Sequence, residues 1–278
     1  MKQLYDDVSM ACSKLTTKAY STSFSLGIHC LDKELHHPIY SIYGYVRFAD
    51  EIVDTFHDYN KEDLLNEFIA ETWKAIDRKI SLNPILNSFQ HVVNKYNIER
   101  ELITCFMDSM AADLRRTTHT DDTYQQYIVG SAEVVGLMCL RVFTNNDRTL
   151  YDQLKKPASK LGAAFQKVNF LRDLKNDYEL LGRVYFPGVN FQSFSEHEKK
   201  QIEEDIENDF REAYEGIIRL PKTSRFGVYM AYVYYKSLFN KIRAIPSARI
   251  LIERVRISNR RKVGLLVTSY FRHSLSLI

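Results

Sequence analysis

The sequence predicts an all-α protein. Apolar residues recur at helical spacing through most of the 278 residues, and only ten Gly and six Pro interrupt them. The prolines lie mostly where one periodic segment ends and the next begins, and no alternating run competes as a strand. The clearest loop is 182–192. Predicted helices cover 3–20, 39–57, 61–78, 84–95, 98–117, 121–143, 147–155, 158–181, 195–218, 223–243 and 248–275.

Length and charge narrow the class of protein. One domain covering residues 1–278 is expected, since single helical domains reach this size. A net charge of +3 on 38 basic and 35 acidic residues does not predict a nucleic-acid partner. P-loop and Rossmann glycine motifs are absent, so a phosphate group would have to be held another way.

Cysteines, histidines and the N-terminus predict a cytoplasmic protein without zinc. Four cysteines without C-x-x-C spacing are typical of reduced thiols, and the eight histidines form no H-E-x-x-H pattern. The N-terminus lacks the features of a signal or transit peptide. The most apolar window, 127–143, is interrupted by Glu133 and Arg141, which disfavours a spanning helix.

A polar stripe runs along the predicted helix 39–57. Tyr43, Arg47, Asp50 and Asp54 recur at spacings of four, three and four, which places them on one face. Their neighbours in IYGYVRFADEIVD are largely apolar, so the helix should be buried and carry its carboxylates inward. Because unpaired buried charge is costly, a bound cation is the natural remedy.

A second stripe repeats the arrangement in FQKVNFLRDLKNDY. Asn169, Asp173 and Asp177 follow at intervals of four, with Gln166 one turn earlier and Arg172 alongside. Such oxygen ligands suit Mg²⁺, which is typically bound by one or two carboxylates together with substrate phosphates. The two stripes therefore predict a magnesium and phosphate site.

Spacing alone is weak support for metal binding. Asp54 with Asp58 and Asp205 with Asp209 have the same separation, and the second pair lies in the charged run KKQIEEDIENDFRE, typical of a solvated face. Apolar surroundings and the accompanying Asn, Gln and Arg distinguish the two stripes. Magnesium and arginine there could stabilise a departing diphosphate, while apolar helices and some of the 34 Phe and Tyr could enclose the hydrocarbon and its carbocation.

Four segments, taken together, resemble the squalene and phytoene synthase family over nearly the whole chain. STSFSLG from Ser21 is similar to its Ser-x-Ser-Phe segment, and YGYVRFADEIVD to its first aspartate motif. The run from Gln166 to Pro187 resembles the second aspartate motif, including its Gly-Arg-x-Tyr-x-Pro tail. YIVGSAEVVG resembles a further family segment, although Glu133 stands where glycine is usual.

The resemblance implies a helical bundle of the isoprenoid-synthase type around a central cavity, and roles for individual residues. Mg²⁺, as two or three ions with Mn²⁺ as a substitute, would be bound by Asp50, Asp54, Asn169, Asp173 and Asp177. The expected catalytic residues are Asp50, Asp54, Asp173, Asp177, Arg47 and Arg172. Substrate contacts are expected from Tyr20, Ser21, Thr22, Ser23, Tyr43, Arg47, Gln166, Asn169, Arg172 and Tyr235.

The implied reaction is a two-step, head-to-head condensation of two isoprenoid diphosphates. We expect geranylgeranyl diphosphate as substrate, prephytoene diphosphate as intermediate, phytoene as product and no need for NADPH. Alternatives are a squalene or dehydrosqualene synthase acting on farnesyl diphosphate, or a non-catalytic scaffold of the same fold. Ile28 is a candidate floor residue of the tail pocket.

The basic C-terminal stretch has two interpretations. Six basic residues fall between 249 and 262, most simply on a solvated face. Attraction to anionic lipid at about 1 kcal/mol per residue near the surface is the functional alternative. It would place the protein peripherally at the inner membrane surface. The residues are Arg249, Arg254, Arg256, Arg260, Arg261 and Lys262.

Overall fold

The computed structural model describes residues 1–115, 117–252 and 254–274, and these confirm the all-α prediction. Apart from an isolated bridge between Thr118 and Val184, this part of the chain contains no β-structure. Its α-helices are α1 (Lys2–Tyr20), α2 (Thr22–His29), α3 (Lys33–Asp54), α4 (Lys61–Arg78), α5 (Pro84–Tyr96), α6 (Arg100–Asp113), α7 (Asp121–Ile128), α8 (Val134–Phe143), α9 (Arg148–Leu181), α10 (Glu196–Ile217), α11 (Lys222–Arg243), α12 (Ser247–Ile250) and α13 (Asn259–Ser274).

Side-chain caps set several helix starts. Asn60 accepts the amide of Asp63 at the start of α4, and Asn83, followed by proline, caps α5. Ser195 begins α10 with a reciprocal capping box. These helices therefore start close to their predicted positions.

Two predicted helix boundaries at prolines are wrong. Helix α9 runs unbroken through Pro157, where a break between 155 and 158 was predicted, and α3 begins at Lys33 so that Pro38 lies inside it. A proline in a helix interior loses one backbone hydrogen bond and clashes with the preceding turn. Packing of α9 against α8 and α10 outweighs this local cost.

The chain ends also differ from prediction. Ser21 takes an extended conformation that separates α1 from the unpredicted helix α2. The single helix predicted at 248–275 is instead α12, an irregular segment and α13. In that segment buried Val255 and Ile257 alternate with exposed Arg254 and Arg256, a period of two that suits extended backbone. Residue 275 lies outside the described residues.

Two groups of buried residues flank a cavity. The first is built mainly by α3, α4, α5, α6 and α8, and includes Tyr45 and Phe89 stacked with ring centroids 3.7 Å apart. The second is built mainly by α7, α9, α10 and α11, together with Val255 and Ile257. Five aromatic side chains line the cavity, namely Phe24, Tyr43, Phe143, Phe165 and Tyr235.

The predicted helix 121–143 contains a π-helical turn. Val129–Glu133 separates α7 from α8, and the amide of Val134 donates to the carbonyl of Val129, five residues back. Asp121–Phe143 is also the one stretch of the described residues long and apolar enough to cross a membrane by length and composition. In its most apolar window 44% of the residues are buried within the protein.

Candidate active site

The cavity has an apolar wall and a polar rim. It measures about 260 Å³ and is bounded by α2, α3, α8, α9, α10 and α11. Apolar residues such as Ile28 form most of the wall. The cavity also meets Tyr43, Gln166, Asn169 and Tyr235, four residues predicted to contact substrate. The four aspartates predicted to bind metal lie further along two of these helices, Asp50 and Asp54 in α3, and Asp173 and Asp177 in α9.

The first stripe lies along α3. Arg47 pairs with Glu51, lies 3.9 Å from Asp50 and carries its guanidinium 4.3 Å above the ring of Tyr20. Burial and the neighbouring carboxylate of Asp54 raise the pKa of Asp50 to about 7. Arg47 therefore has two acidic partners, Asp50 and Glu51, and the second of these was not predicted as a site residue.

The second stripe lies along α9. Arg172 donates to both carboxylate oxygens of its neighbour Asp173, so its predicted diphosphate-binding group is engaged by a carboxylate in this structure. Burial, then the nearby carboxylates of Asp173 and Asp54, raise the pKa of Asp177 to about 7. Since Asp54 belongs to α3, the two stripes lie within electrostatic reach of each other.

Tyr235 connects α11 to the second stripe. Its hydroxyl donates to Asn169 Oδ1 at 3.4 Å, and its ring stacks on Phe165 with centroids 4.0 Å apart. Asn169 in turn donates to Gln166 Oε1 at 3.5 Å. Three predicted substrate-binding residues therefore form one hydrogen-bonded chain at the cavity rim.

The early segment 20–23 reaches the same region. Tyr20 lies against Arg47, and Ser21 accepts the Phe24 amide as the N-cap of α2. Ser21 therefore has the capping role that is the simpler interpretation of this residue. Thr22 accepts a hydrogen bond from Lys262, while Ser23 is the second residue of α2 and is half-buried.

Sequence reasoning missed a buried polar cluster beside the first stripe. Arg183 donates to Asp54 Oδ1 at 2.8 Å, to the Asp113 carbonyl at 3.0 Å and to the Tyr185 hydroxyl at 3.2 Å. Tyr127 donates to Asp113 Oδ2 at 2.5 Å. Arg183 and Tyr185 belong to the Gly-Arg-x-Tyr-x-Pro tail of the second aspartate motif, which is the signal in the sequence that could have identified them. No sequence pattern indicates Asp113.

Gly162 brings α9 close to the π-helical turn. A Cβ at Gly162 would lie 2.5 Å from the Ala132 carbonyl oxygen and 3.2 Å from the Glu133 Cα, nearer than real Cβ atoms come to backbone oxygen. Helix α9 therefore packs closely on this turn even though Glu133, rather than glycine, stands at position 133. Glu133 lies near Lys160, and burial raises its pKa.

The acidic residues fit a divalent cation. Burial and repulsion from neighbouring carboxylates, Asp54 in both cases, raise the pKa of Asp50 and of Asp177, a cost that a bound cation would relieve. Nowhere in the described residues do three His, Cys, Asp or Glu side chains converge to hold one ion unaided. Mg²⁺ tolerates this, because it retains waters and takes ligands from substrate phosphates.

Fold and site together define an all-α protein of the isoprenoid-synthase type, in which two acidic helices meet the rim of an apolar cavity. A model described as squalene/phytoene synthase matches residues 17–261, and the chain belongs to that family. The family comprises prenyltransferases that act on isoprenoid diphosphates and depend on divalent metal.

Curated relatives support the family at low identity. The chain is 25% identical over 272 residues to phytoene synthase 1 of Zea mays, covering 88% of this chain and 62% of that protein. It therefore spans less than two thirds of that relative's length. It is also 25% identical over 198 residues to 4,4'-diapophytoene synthase of Staphylococcus haemolyticus, covering 69% and 67% of the two chains.

Solved structures support the fold. A dehydrosqualene synthase in complex with ligand superposes with a TM-score of 0.84 at 22% identity, covering 98% of each chain. Squalene synthase HpnC from Alicyclobacillus acidocaldarius gives a TM-score of 0.76 at 18% identity, covering 86% of this chain and 95% of that one. At these identities the likeness concerns the fold alone.

Proposed function

We propose that this chain is a phytoene synthase of carotenoid biosynthesis. It condenses two geranylgeranyl diphosphates head to head, through prephytoene diphosphate, and releases two diphosphates without NADPH. The observation that carries the proposal is the meeting of two acidic helices, α3 and α9, at the rim of one apolar cavity. Charged diphosphates and long hydrocarbon tails each have a matching environment there.

Leaving-group stabilisation is assigned to the two stripes. Asp50, Asp54, Asp173 and Asp177, assisted by Asn169, hold two or three Mg²⁺ ions, with Mn²⁺ as a substitute. Bound Mg²⁺ supplies charge stabilisation to the departing diphosphate. The contacts to diphosphate are assigned to Tyr20, Ser21, Thr22, Ser23, Tyr43, Arg47, Gln166, Arg172 and Tyr235.

The cavity protects and steers the carbocation. Its apolar wall excludes water that would otherwise capture the cation. The stacked rings of Phe165 and Tyr235 belong to its lining, as do the tilted rings of Phe24 and Tyr43, whose centroids lie 5.2 Å apart. Their π-faces can stabilise positive charge, and a cation close to such a face gains about 0.5–2 kcal/mol.

Farnesyl diphosphate is the alternative substrate, which would make the chain a squalene or dehydrosqualene synthase. The observation favouring it is the 25% identity over 198 residues to a 4,4'-diapophytoene synthase. The wall residue Ile28, which is 2% exposed, is the position where side-chain bulk would distinguish the two tail lengths.

The remaining assignments concern organisation and location. Residues 1–278 act as one domain, and the protein is cytoplasmic. Its basic C-terminal stretch is available for peripheral contact with the inner membrane surface. No nucleic-acid partner is assigned.

Product analysis tests the proposal. Purified protein is incubated with Mg²⁺ and either geranylgeranyl or farnesyl diphosphate, with and without NADPH, and the extracted hydrocarbon is identified by mass. Phytoene without NADPH supports the proposal, whereas squalene or dehydrosqualene would correct the substrate. No product from either substrate would overturn it and favour the scaffold.

A further inference from the structure

The outer face of α1 carries a row of exposed apolar side chains. Leu4 is 69% exposed, Val8 50% and Leu15 70%, and Ala11 between the last two is exposed as well. They follow one another at intervals of four, three and four residues, which places them along one side of the helix. Alternation of three and four is the spacing with which one helix packs lengthwise against another.

The inner face of α1 is small and polar instead. Ser9, Ser13 and Thr17 are its fully buried residues. A Cβ at Gly44 of α3 would lie 3.2 Å from Ser13, so these small side chains let the two helices approach closely. A surface helix ordinarily turns its apolar residues to the core and its polar residues to water. Helix α1 has the reverse arrangement, which is typical of a helix that packs on a further partner.

Two charged residues flank the apolar row on the same side. Asp7 and Lys14 are seven residues apart, so both lie beside the row at the same angle around the helix. Asp7 accepts a hydrogen bond from Gln3 at 2.9 Å. Lys14 Nζ lies 5.9 Å from the ring centroid of Tyr40. Neither residue forms an ion pair with another described part of the chain, so both charges are available to a partner.

These charges are complementary to those of a second copy of the same helix. When two copies run antiparallel, with Leu4 opposite Leu15 of the second copy, Asp7 lies opposite Lys14 of that copy. Two-fold symmetry then forms the ion pair twice. A parallel pair would place Asp7 opposite Cys12 and leave both charges without a partner. The charge pattern therefore favours a second copy in the antiparallel orientation.

The size of the surface predicts reversible association. With 19 residues, α1 is about 28 Å long and, with its side chains, about 10 Å wide. The loop after α4 extends the apolar surface, because Tyr5 donates to the Ser81 carbonyl at 2.6 Å and the neighbouring Ile80 and Leu82 are exposed. Such a surface is smaller than the roughly 800 Å² per partner of a standard interface. We therefore expect a dissociation constant in the micromolar range.

We propose that two copies of this chain associate through α1 as an antiparallel, reversible homodimer. Val8 of each copy packs against Ala11 of the other at the centre, and the Asp7–Lys14 pairs close the flanks. Association through α1 is independent of the substrate, so it goes beyond the proposed function and can be tested without turnover.

Sedimentation velocity of the full chain, over protein concentrations from about 1 to about 100 µM, measures the association. The wild-type protein should change from monomer to dimer across this range. V8E should raise the dissociation constant more than tenfold, because a carboxylate enters the centre of an apolar contact. Circular dichroism should show the same thermal unfolding for V8E as for the wild type, since Val8 is half exposed in the single chain.

Exchange of charges tests the orientation. D7K and K14E should each raise the dissociation constant about tenfold, because two attractive contacts become two repulsive ones. An equimolar mixture of D7K and K14E should associate about as well as the wild type, since each variant then faces the opposite charge on the other. E67K is the matched control, because Glu67 is exposed on α4, and it should leave the dissociation constant unchanged.

Three results would overturn this dimer. They are a wild-type protein that stays monomeric throughout, a dimer that V8E does not weaken, and a mixture of D7K and K14E that associates no better than either variant alone. Flotation with phosphatidylglycerol vesicles identifies a lipid surface instead. Monomeric wild-type protein that binds these vesicles, with binding lost in V8E, would assign the apolar row to a membrane and overturn the dimer. The proposed function is tested separately, by its product.

Discussion

Arg183 Nη1 lies 2.8 Å from Asp54 Oδ1, across 129 positions of sequence. The loop after α9 makes this contact possible, because Val184 N donates to the Thr117 carbonyl at 2.9 Å and pairs the loop with the residues that follow α6. Arg183 thereby also reaches the carbonyl of Asp113. Arg183, from the tail of the second aspartate motif, is thus a counter-ion of Asp54 in the first aspartate motif.

Removing an aspartate from either stripe should abolish most activity. We expect D50N and D177N each to lower kcat about 10²–10³-fold, because each loses charge that positions the leaving group. The control is D58N, which lies four residues from Asp54 and is exposed. Activity is measured with prenyl diphosphate and Mg²⁺, and circular dichroism reports folding. Near wild-type turnover in D50N or D177N would contradict a catalytic role and favour the scaffold.

Bulk at residue 28 should change substrate preference. I28F adds volume to the cavity wall, so the ratio of kcat/KM for farnesyl over geranylgeranyl diphosphate should rise about tenfold, since a methylene in an apolar pocket changes discrimination by about 1–3 kcal/mol. The matched control, I28L, preserves volume and should leave the ratio within about twofold. An unchanged ratio in I28F would remove Ile28 from the floor of the pocket.

A methyl group at residue 162 should destabilise the fold. In G162A the new Cβ meets the Ala132 carbonyl oxygen at 2.5 Å, so the free energy of unfolding should fall by about 1–3 kcal/mol. G264A is the control, because no atom lies within 4 Å of its Cβ position, and its effect should stay within about 1 kcal/mol. Urea denaturation measures both. Equal stability in the two variants would refute close packing of α9 on the π-helical turn.

Asp113 should make the metal-free protein less stable as pH rises. Burial raises the pKa of Asp113 from 3.8 to about 7, and its side chain is only 5% exposed. Between these pH values the folded state keeps a proton that the unfolded state releases, so stability falls as pH increases. In D113N the loss of unfolding free energy from pH 4 to pH 8 should shrink by roughly 1–4 kcal/mol.

Urea titrations in EDTA, at several pH values, measure this slope. The pKa values of Asp50 and Asp177 are also raised, so the wild-type protein and D113N should both still lose stability as pH rises. The comparison therefore concerns the difference between the wild-type and D113N slopes. Identical slopes would mean that Asp113 ionises normally in the folded protein.

Local spacing allowed the two stripes to be predicted. Tyr43, Arg47 and Asp50 share a helix face whatever surrounds the helix, because intervals of three and four residues fix that relationship. The same holds for Asn169 and Asp173. The structure places these residues along α3 and α9, with Tyr43 and Asn169 at the cavity. Their metal-binding roles stay predictions.

Contacts between distant segments could not be predicted in this way. Asp113 and Arg183 are 70 positions apart, and no periodicity relates them. Continuation of α9 through Pro157 likewise depends on α8 and α10 rather than on local preference. The C-terminal segment was assigned to a helix although Val255 and Ile257 alternate with arginines, a period-two signal that was available in the sequence.

The π-helical turn Val129–Glu133 also has a consequence for sequence change along this segment. Each residue added to or removed from a helix rotates everything beyond it by roughly 100° about the axis. Deleting one residue from this turn would give an ordinary α-helix, but Tyr127 and Gly136 could no longer face Asp113 and Ala158 together. Evolution can therefore exchange side chains here far more freely than it can change the number of residues.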